Sequence, residues 1–289
     1  MTTPNRHTAE YWHREGNDIR CDLCPHRCRI VPGETGRCLA RRNIDGKLVA
    51  EGYGKITSIA VDPIQKKPLN RYYPENTILT AASYGCNFQC PFCQNYHISQ
   101  QEADFTYYSP ERLRDLALNQ TLNDNIGLAF SYHEPTINFE YVRDCDRLVK
   151  DAGLKNILVT NGYLAREPWE ELLKLTDAIN IDLKAFTDSF YKKECKGDLE
   201  TVKGNILAAA KECHIEITTL IIPGLNDSIE EITAMAQWIA AIDPEIPYHL
   251  SRFHPRYQMS DMEPTPVDTL DNAAEAASQY LRYIYLGNL

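Results

Sequence analysis

Short runs of β-branched and other apolar residues alternate with helix-like patterns from about residue 77 to the end of the chain. Six such runs lie at residues 77–83, 126–132, 155–160, 178–183, 216–222 and 247–253. Between them, Ser109 and Pro110 have the features of an N-cap and a first helical turn, and further helices are predicted over 167–176, 226–243 and 265–281. This alternation predicts six β/α units around a parallel sheet.

Six units are too few to close an eight-stranded barrel, so the pattern predicts an α/β fold with a partial (β/α)6 barrel of the TIM type. We place this barrel domain at residues 77–289, after a small cysteine-rich segment with connecting loops at 1–76. Barrel enzymes carry their functional side chains at the carboxyl ends of the strands. Polar motifs follow each predicted strand, at 86–95, 131–136, 160–162, 182–184, 223–227 and 252–254. We therefore expect these motifs to share one ligand site.

Three cysteines, Cys86, Cys90 and Cys93, follow the first predicted strand with the spacing C-x3-C-x2-C. Thiolates bind zinc or iron–sulfur clusters, and such sites normally take four protein ligands. A set of three leaves one metal position open for chemistry. A zinc knuckle and three unrelated core thiols are the alternatives at this point.

Four more cysteines, Cys21, Cys24, Cys28 and Cys38, are spaced C-x2-C-x3-C-x9-C near the amino terminus. This set is complete enough for a tetrahedral zinc or a second four-iron cluster, and the sequence does not choose between them. His26 is an additional candidate ligand, and reduced thiols in a loop are the alternative. A metal centre here would be structural or would relay electrons.

Composition limits the cellular compartment and the kinds of partner that we expect for this protein. The 289 residues, 43% of them hydrophobic, suit one large domain with an appendage, and the net charge of −10 disfavours nucleic acid. No export signal or membrane-length apolar stretch is seen, so we expect a cytoplasmic protein without membrane contact. Cysteines in that compartment are typically metal ligands or reduced thiols. We interpret those outside the two sets as core or surface thiols: Cys145, Cys195 and Cys213.

The three-cysteine motif, with the aromatic Phe92 before its last cysteine, resembles the signature of the radical SAM enzymes. The motifs from 86 to 224 are similar to those of pyruvate formate-lyase activating enzyme and its relatives. The preceding cysteines and the stretch 62–69 look closer to the AmmeMemoRadiSam system radical SAM enzymes, our preferred family. The resemblance implies a 4Fe-4S cluster and S-adenosylmethionine, which is reductively cleaved to methionine and a 5′-deoxyadenosyl radical. It also implies a low-potential donor such as flavodoxin or ferredoxin, and an unidentified small-molecule or protein substrate from which hydrogen is abstracted.

Carried over to this chain, the resemblance implies that Glu134 lies near the amino group of S-adenosylmethionine. Thr160 and Asn161 would line the same site, as would Phe92. Tyr132 and His133 stand where the family has two glycines.

The resemblance also implies that Asp182 and Lys184 face the methionyl and ribose parts of the cofactor. His254 would reach the ribose, with His249 as the choice if the register shifts. Because Val159 replaces an acid of the activating enzyme, we expect no monovalent-cation site. A short cysteine-containing tail found in many relatives is expected to be missing after Leu289.

Two other interpretations stay open. The chain can be an activase that places a glycyl radical on a partner protein. It can also be a non-catalytic iron–sulfur electron-transfer protein or a zinc-structural protein, in which case no 5′-deoxyadenosine forms under reduction.

Overall fold

The structure described here is a computed structural model covering residues 6–289. The strands are β1 (Trp12–Glu15), β2 (Asp18–Cys21), β3 (Arg29–Ile30), β4 (Arg41–Ile44), β5 (Lys47–Ala50), β6 (Lys55–Ile56), β7 (Ser58–Pro63), β8 (Thr77–Ala82), β9 (Thr106–Tyr107), β10 (Asn125–Phe130), β11 (Lys155–Thr160), β12 (Ala178–Asp182), β13 (His214–Ile221), β14 (Tyr248–Arg252) and β15 (Ile284–Gly287). The helices are α1 (Tyr96–Ser99), α2 (Pro110–Asn119), α3 (Phe139–Asp151), α4 (Arg166–Leu173), α5 (Asp188–Phe190), α6 (Leu199–Glu212), α7 (Ile229–Ile242) and α8 (Val267–Ser278). A π-helical turn, Tyr191–Cys195, follows α5 directly.

An eight-stranded sheet organises the molecule, in the order β15-β14-β13-β12-β11-β10-β8-β7. The seven strands from β15 to β8 run parallel, and β7 is antiparallel to β8. All six predicted strands are therefore confirmed, and they are neighbours in chain order, as in a partial barrel. Two strands of this sheet were not predicted: β15 extends its parallel part at one edge, and β7 forms the other edge.

The cysteine-rich segment forms small antiparallel sheets beside the barrel. Strands β1, β2 and β3 form one of them, and β4 and β5 form a hairpin. The proposed boundary at residue 77 cuts through the main sheet, because β7 precedes that residue and pairs with β8 over its full length. The segment is thus physically continuous with the barrel.

Helices α2 and α7 begin close to the predicted positions because a serine caps each of them. Ser109 Oγ accepts a hydrogen bond from Arg112 N at the start of α2, and Ser228 Oγ accepts one from Glu231 N at the start of α7. Helices α3, α6 and α8 contact strands β11, β13 and β14. One large apolar core joins side chains of the strands and helices. A second, smaller apolar cluster lies apart from it and consists of Ile64, Leu69, Ile78, Ala129, Ile157 and Ala178. Within residues 6–289, no helix has the length and apolar character needed to cross a bilayer.

Candidate active site at the carboxyl ends of the strands

A cavity of about 310 Å³ opens at the carboxyl ends of the parallel strands. Nine of the ten side chains predicted for the cluster and cofactor site line it. They are Cys86, Cys90, Phe92, Cys93, Glu134, Thr160, Asn161, Asp182 and Lys184. The strand-end rule explains this convergence, because parallel strands present their carboxyl ends on the same side.

The three cysteines of the C-x3-C-x2-C motif lie in the loop after β8, and all are free thiols. N–H groups already point at Cys86 Sγ: Phe88 N at 3.3 Å and Asn161 Nδ2 at 3.6 Å. Cys93 Sγ lies 3.1 Å from Ser99 Oγ. A set of three thiols with N–H groups directed at sulfur fits an iron–sulfur cluster, whose thiolate ligands accept such hydrogen bonds.

A fourth cysteine lies against this loop. Cys195, at the end of the π-helical turn, is fully buried, and its thiol is close enough to Cys90 to lower the pKa of that thiol. Its carbonyl accepts a hydrogen bond of 3.1 Å from Gln89 N. The interpretation of Cys195 as a core thiol agrees with this burial, but sequence spacing did not indicate its contact with the motif.

Glu134 joins the ends of β10 and β11 through a buried carboxylate. Its Oε1 accepts hydrogen bonds from Thr136 N (3.0 Å), Thr136 Oγ1 (2.7 Å) and Thr160 Oγ1 (2.7 Å), and its Oε2 accepts one from Asn161 N (2.8 Å). Burial raises the pKa of Glu134 more than these hydrogen bonds lower it. Because Oε2 has a single partner, it keeps acceptor capacity toward the cavity.

Asp182 and Lys184 share one wall of the cavity, as their alternation at the strand end predicted. Lys184 Nζ lies 3.0 Å from Asp182 Oδ2. Burial lowers the pKa of Lys184, but the Asp182 carboxylate and the nearby thiols outweigh it and hold that pKa well above its usual value. The lysine is therefore charged at neutral pH and can meet a carboxylate.

Tyr132 has a positive φ of +74°, in the left-handed region that favours glycine. Its hydroxyl donates to Asp62 Oδ2 (3.1 Å) and accepts from the buried Lys67 Nζ (2.9 Å). The next residue, His133, is buried, and burial lowers its pKa to about 4. The Tyr132 hydroxyl thus ties this turn to the 62–67 stretch.

His254, the tenth predicted residue, does not line the cavity, and its Nε2 lies 2.9 Å from Asn288 O. The alternative, His249, is buried with Nε2 2.6 Å from Glu216 Oε2. Ser251 and Asn288 lie at the cavity wall instead. Sequence reasoning missed Asn288 because it follows β15, which was not predicted.

The four amino-terminal cysteines also come together. Cys21, Cys24, Cys28 and Cys38 line a second, much smaller cavity of about 10 Å³. His26 lines it too, but its Nε2 lies 2.7 Å from Asn87 O, so that ring nitrogen is already engaged in a hydrogen bond.

The Radical SAM superfamily model matches residues 81–239, more than half of the chain, so the chain belongs to this superfamily and is a radical SAM enzyme. It is 39% identical over 290 residues to an uncharacterized protein of Methanocaldococcus jannaschii, covering 98% of this chain and 85% of that protein. Its core is similar to that of the pyruvate formate-lyase-activating enzyme of Clostridium pasteurianum, at 29% identity over 57% of this chain and 72% of that enzyme. The crystal structure of Streptococcus suis SuiB bound to S-adenosylmethionine superposes with a TM-score of 0.57 at 13% identity, over 73% of this chain and 52% of SuiB, which shows the shared fold.

Proposed function

We propose that this radical SAM enzyme is of the AmmeMemoRadiSam type and abstracts hydrogen from a small-molecule or protein substrate. The observation that carries the proposal is the convergence of Cys86, Cys90 and Cys93 with Glu134 and Lys184 on one cavity. With a 4Fe-4S cluster and S-adenosylmethionine bound there, the cofactors supply reductive cleavage to methionine and a 5′-deoxyadenosyl radical.

The chain's own groups match the polar ends of the cofactor. Glu134 Oε2 has acceptor capacity for an ammonium group, because only Asn161 N bonds to it. Lys184, held by Asp182, presents a cation to a carboxylate. A cavity at a barrel mouth also keeps water away from a reactive intermediate.

The electron donor is proposed to be a low-potential protein such as flavodoxin or ferredoxin, and the compartment to be the cytoplasm. All ten cysteines are free thiols, which suits a reducing compartment. The four amino-terminal cysteines are proposed to hold a second metal centre, zinc or iron–sulfur. Their shared cavity supports this.

The test is anaerobic reconstitution with iron and sulfide, then reduction with S-adenosylmethionine and quantitation of 5′-deoxyadenosine and methionine. We expect equimolar products from the wild type and none from Cys86→Ala, Cys90→Ala or Cys93→Ala. Cys213→Ala is the matched control, since Cys213 lies at the end of α6 outside the cavity. Cleavage at the native rate by a Cys86→Ala enzyme would refute the ligand assignment. No cleavage by a wild type with a full cluster would favour electron transfer or a structural role.

A glycyl radical activase is the second candidate, favoured by the similarity to the Clostridium pasteurianum activating enzyme. The two candidates differ in the size of the substrate. An anaerobic extract of the source cells, split by ultrafiltration, separates them by its effect on 5′-deoxyadenosine formation. Stimulation by a protease-sensitive retained fraction with a glycyl radical in its EPR spectrum indicates an activase. Stimulation by the filtrate indicates a small-molecule substrate.

A further inference from the structure

We propose that Cys21, Cys24, Cys28 and Cys38 hold a second four-iron cluster rather than zinc, and that this cluster exchanges electrons with the cluster at Cys86, Cys90 and Cys93. The electron exchange rests on the proposed function, whereas the second cluster itself does not.

The fold brings the four cysteines to one place by short local turns. Cys21 ends β2, and Cys21 N donates to Cys28 O (3.0 Å), which folds the intervening residues back on themselves. Within that turn Arg27 N donates to Cys24 O (3.1 Å). Cys38 arrives from the loop between β3 and β4, and all four line the same cavity. Four soft ligands around one cavity are a complete set for a metal centre.

The room at this set suits a cluster better than a single ion. Zinc lies about 2.3 Å from each thiolate sulfur, so four sulfurs placed for zinc leave no room between them for a water-sized sphere. The cavity that these cysteines line has about 10 Å³, room for about one such sphere. Across residues 6–289, no three His, Cys, Asp or Glu side chains are grouped as a single metal ion would require.

A buried cation with an unused donor faces the same cavity. Arg41 is fully buried and lines the cavity, with Nη1 donating to Glu10 O (2.9 Å) and Nη2 to Glu140 Oε1 (2.6 Å). Its Nε has no hydrogen-bond partner. A buried N–H without an acceptor is costly, about 1–3 kcal/mol, and a sulfur of a bound cluster would supply the acceptor. The positive charge also offsets part of the negative charge of four thiolates.

The two cysteine sets are separated by a very thin wall. A Cβ placed on Gly85, which directly precedes Cys86, would lie 2.2 Å from Cys38 O, so the two backbones are in contact there. Asn87 lines the amino-terminal cavity, and its Oδ1 accepts a hydrogen bond of 2.8 Å from Asn161 Nδ2, the same group that points at Cys86 Sγ. One electron therefore has a short route, from the second cluster to the first. The second cluster is oxidised by one electron and the first is reduced, with a low-potential one-electron donor as the source.

The experiment uses the full chain, purified and reconstituted anaerobically, with iron, zinc and sulfide measured per chain. The key variant is Cys86→Ala/Cys90→Ala/Cys93→Ala, because it leaves the amino-terminal site untouched. We expect about eight irons in the wild type and about four in this variant, with no stoichiometric zinc. After dithionite reduction, EPR should show two interacting clusters in the wild type and one isolated cluster in the variant. Cys213→Ala should match the wild type.

Each other result overturns a stated part of the proposal. One zinc per chain and no iron in the triple variant would mean that the amino-terminal cysteines bind zinc. If the triple variant held neither metal, these cysteines would be reduced thiols. Eight irons without magnetic interaction between the two clusters in the reduced wild type would remove the electron exchange and keep the second cluster. Eight irons with no 5′-deoxyadenosine would instead remove the proposed function.

Discussion

Glu216, at the start of β13, ties the barrel floor to the connection that follows β7. Its carboxylate is fully buried and accepts hydrogen bonds from Asn70 N (2.9 Å), Arg71 N (2.7 Å), His214 Nε2 (3.0 Å) and His249 Nε2 (2.6 Å). Burial raises the pKa of Glu216, but these hydrogen bonds outweigh it and lower the pKa from 4.5 to about 2. The charged carboxylate therefore stabilises the folded state.

The pKa shift sets the size of the effect. A shift from 4.5 to about 2 corresponds to about 3 kcal/mol of stability at pH 7. Because the folded pKa is the lower one, this stability is present above pH 4.5 and is lost as the pH falls toward 2. At pH 3 about 1 kcal/mol remains. Glu216→Gln, which removes the charge, should thus lower the midpoint of thermal unfolding at pH 7 by roughly 6 to 12 °C.

The assay compares urea unfolding of the wild type and Glu216→Gln at pH 7, pH 4 and pH 3. The difference in free energy of unfolding should shrink as the pH falls. Glu263→Gln is the matched control, because Glu263 is exposed, and it should change the free energy by less than about 0.5 kcal/mol. Equal stability of the wild type and Glu216→Gln at pH 7, or a difference that does not depend on pH, would show that the carboxylate does not stabilise the fold in this way.

Two further substitutions test the junction between the cysteine sets. Gly85→Ala should destabilise the protein by more than the roughly 1–2 kcal/mol that a positive φ alone costs, because the new Cβ would collide with Cys38 O. Gly33→Ala is the control, since Gly33 has a similar φ but open space around it, and it reports the backbone cost alone. Equal losses of stability in thermal unfolding would contradict the contact between Gly85 and Cys38. Asn161→Ala removes the N–H directed at Cys86 Sγ and should lower the midpoint potential of that cluster in a redox titration, since hydrogen bonds to sulfur raise such potentials; an unchanged potential would argue against that hydrogen bond in the loaded protein.

Much of the fold was predictable because the six central strands are continuous apolar runs. Strand β7 was not predicted because it is an antiparallel edge strand with mostly exposed side chains and a terminal proline. Strand β15 is only four residues long, and it follows directly on the α8 pattern. Short edge strands carry little periodic signal, and their pairing is decided by the neighbouring strand.

The candidate site was predictable to the extent that strand ends fix position. Glu134, Asp182 and Lys184 lie at such ends and reach the cavity. His254 lies beyond the end of β14, where the direction of the loop decides which way a side chain points. Its ring contacts Asn288 O instead of the cavity. The pairing of Glu216 with His249 joins adjacent strands at a register that the sequence alone does not reveal.

Strand β7 has a consequence for any attempt to prepare the barrel alone. It pairs with β8 at six consecutive positions, from Ser58 opposite Ala82 to Pro63 opposite Thr77. A chain that started at residue 77 would leave the N–H and C=O groups on that side of β8 without partners, on an apolar strand open to other chains. Such a fragment would tend to self-associate. Strand β7 therefore covers this apolar edge of the barrel.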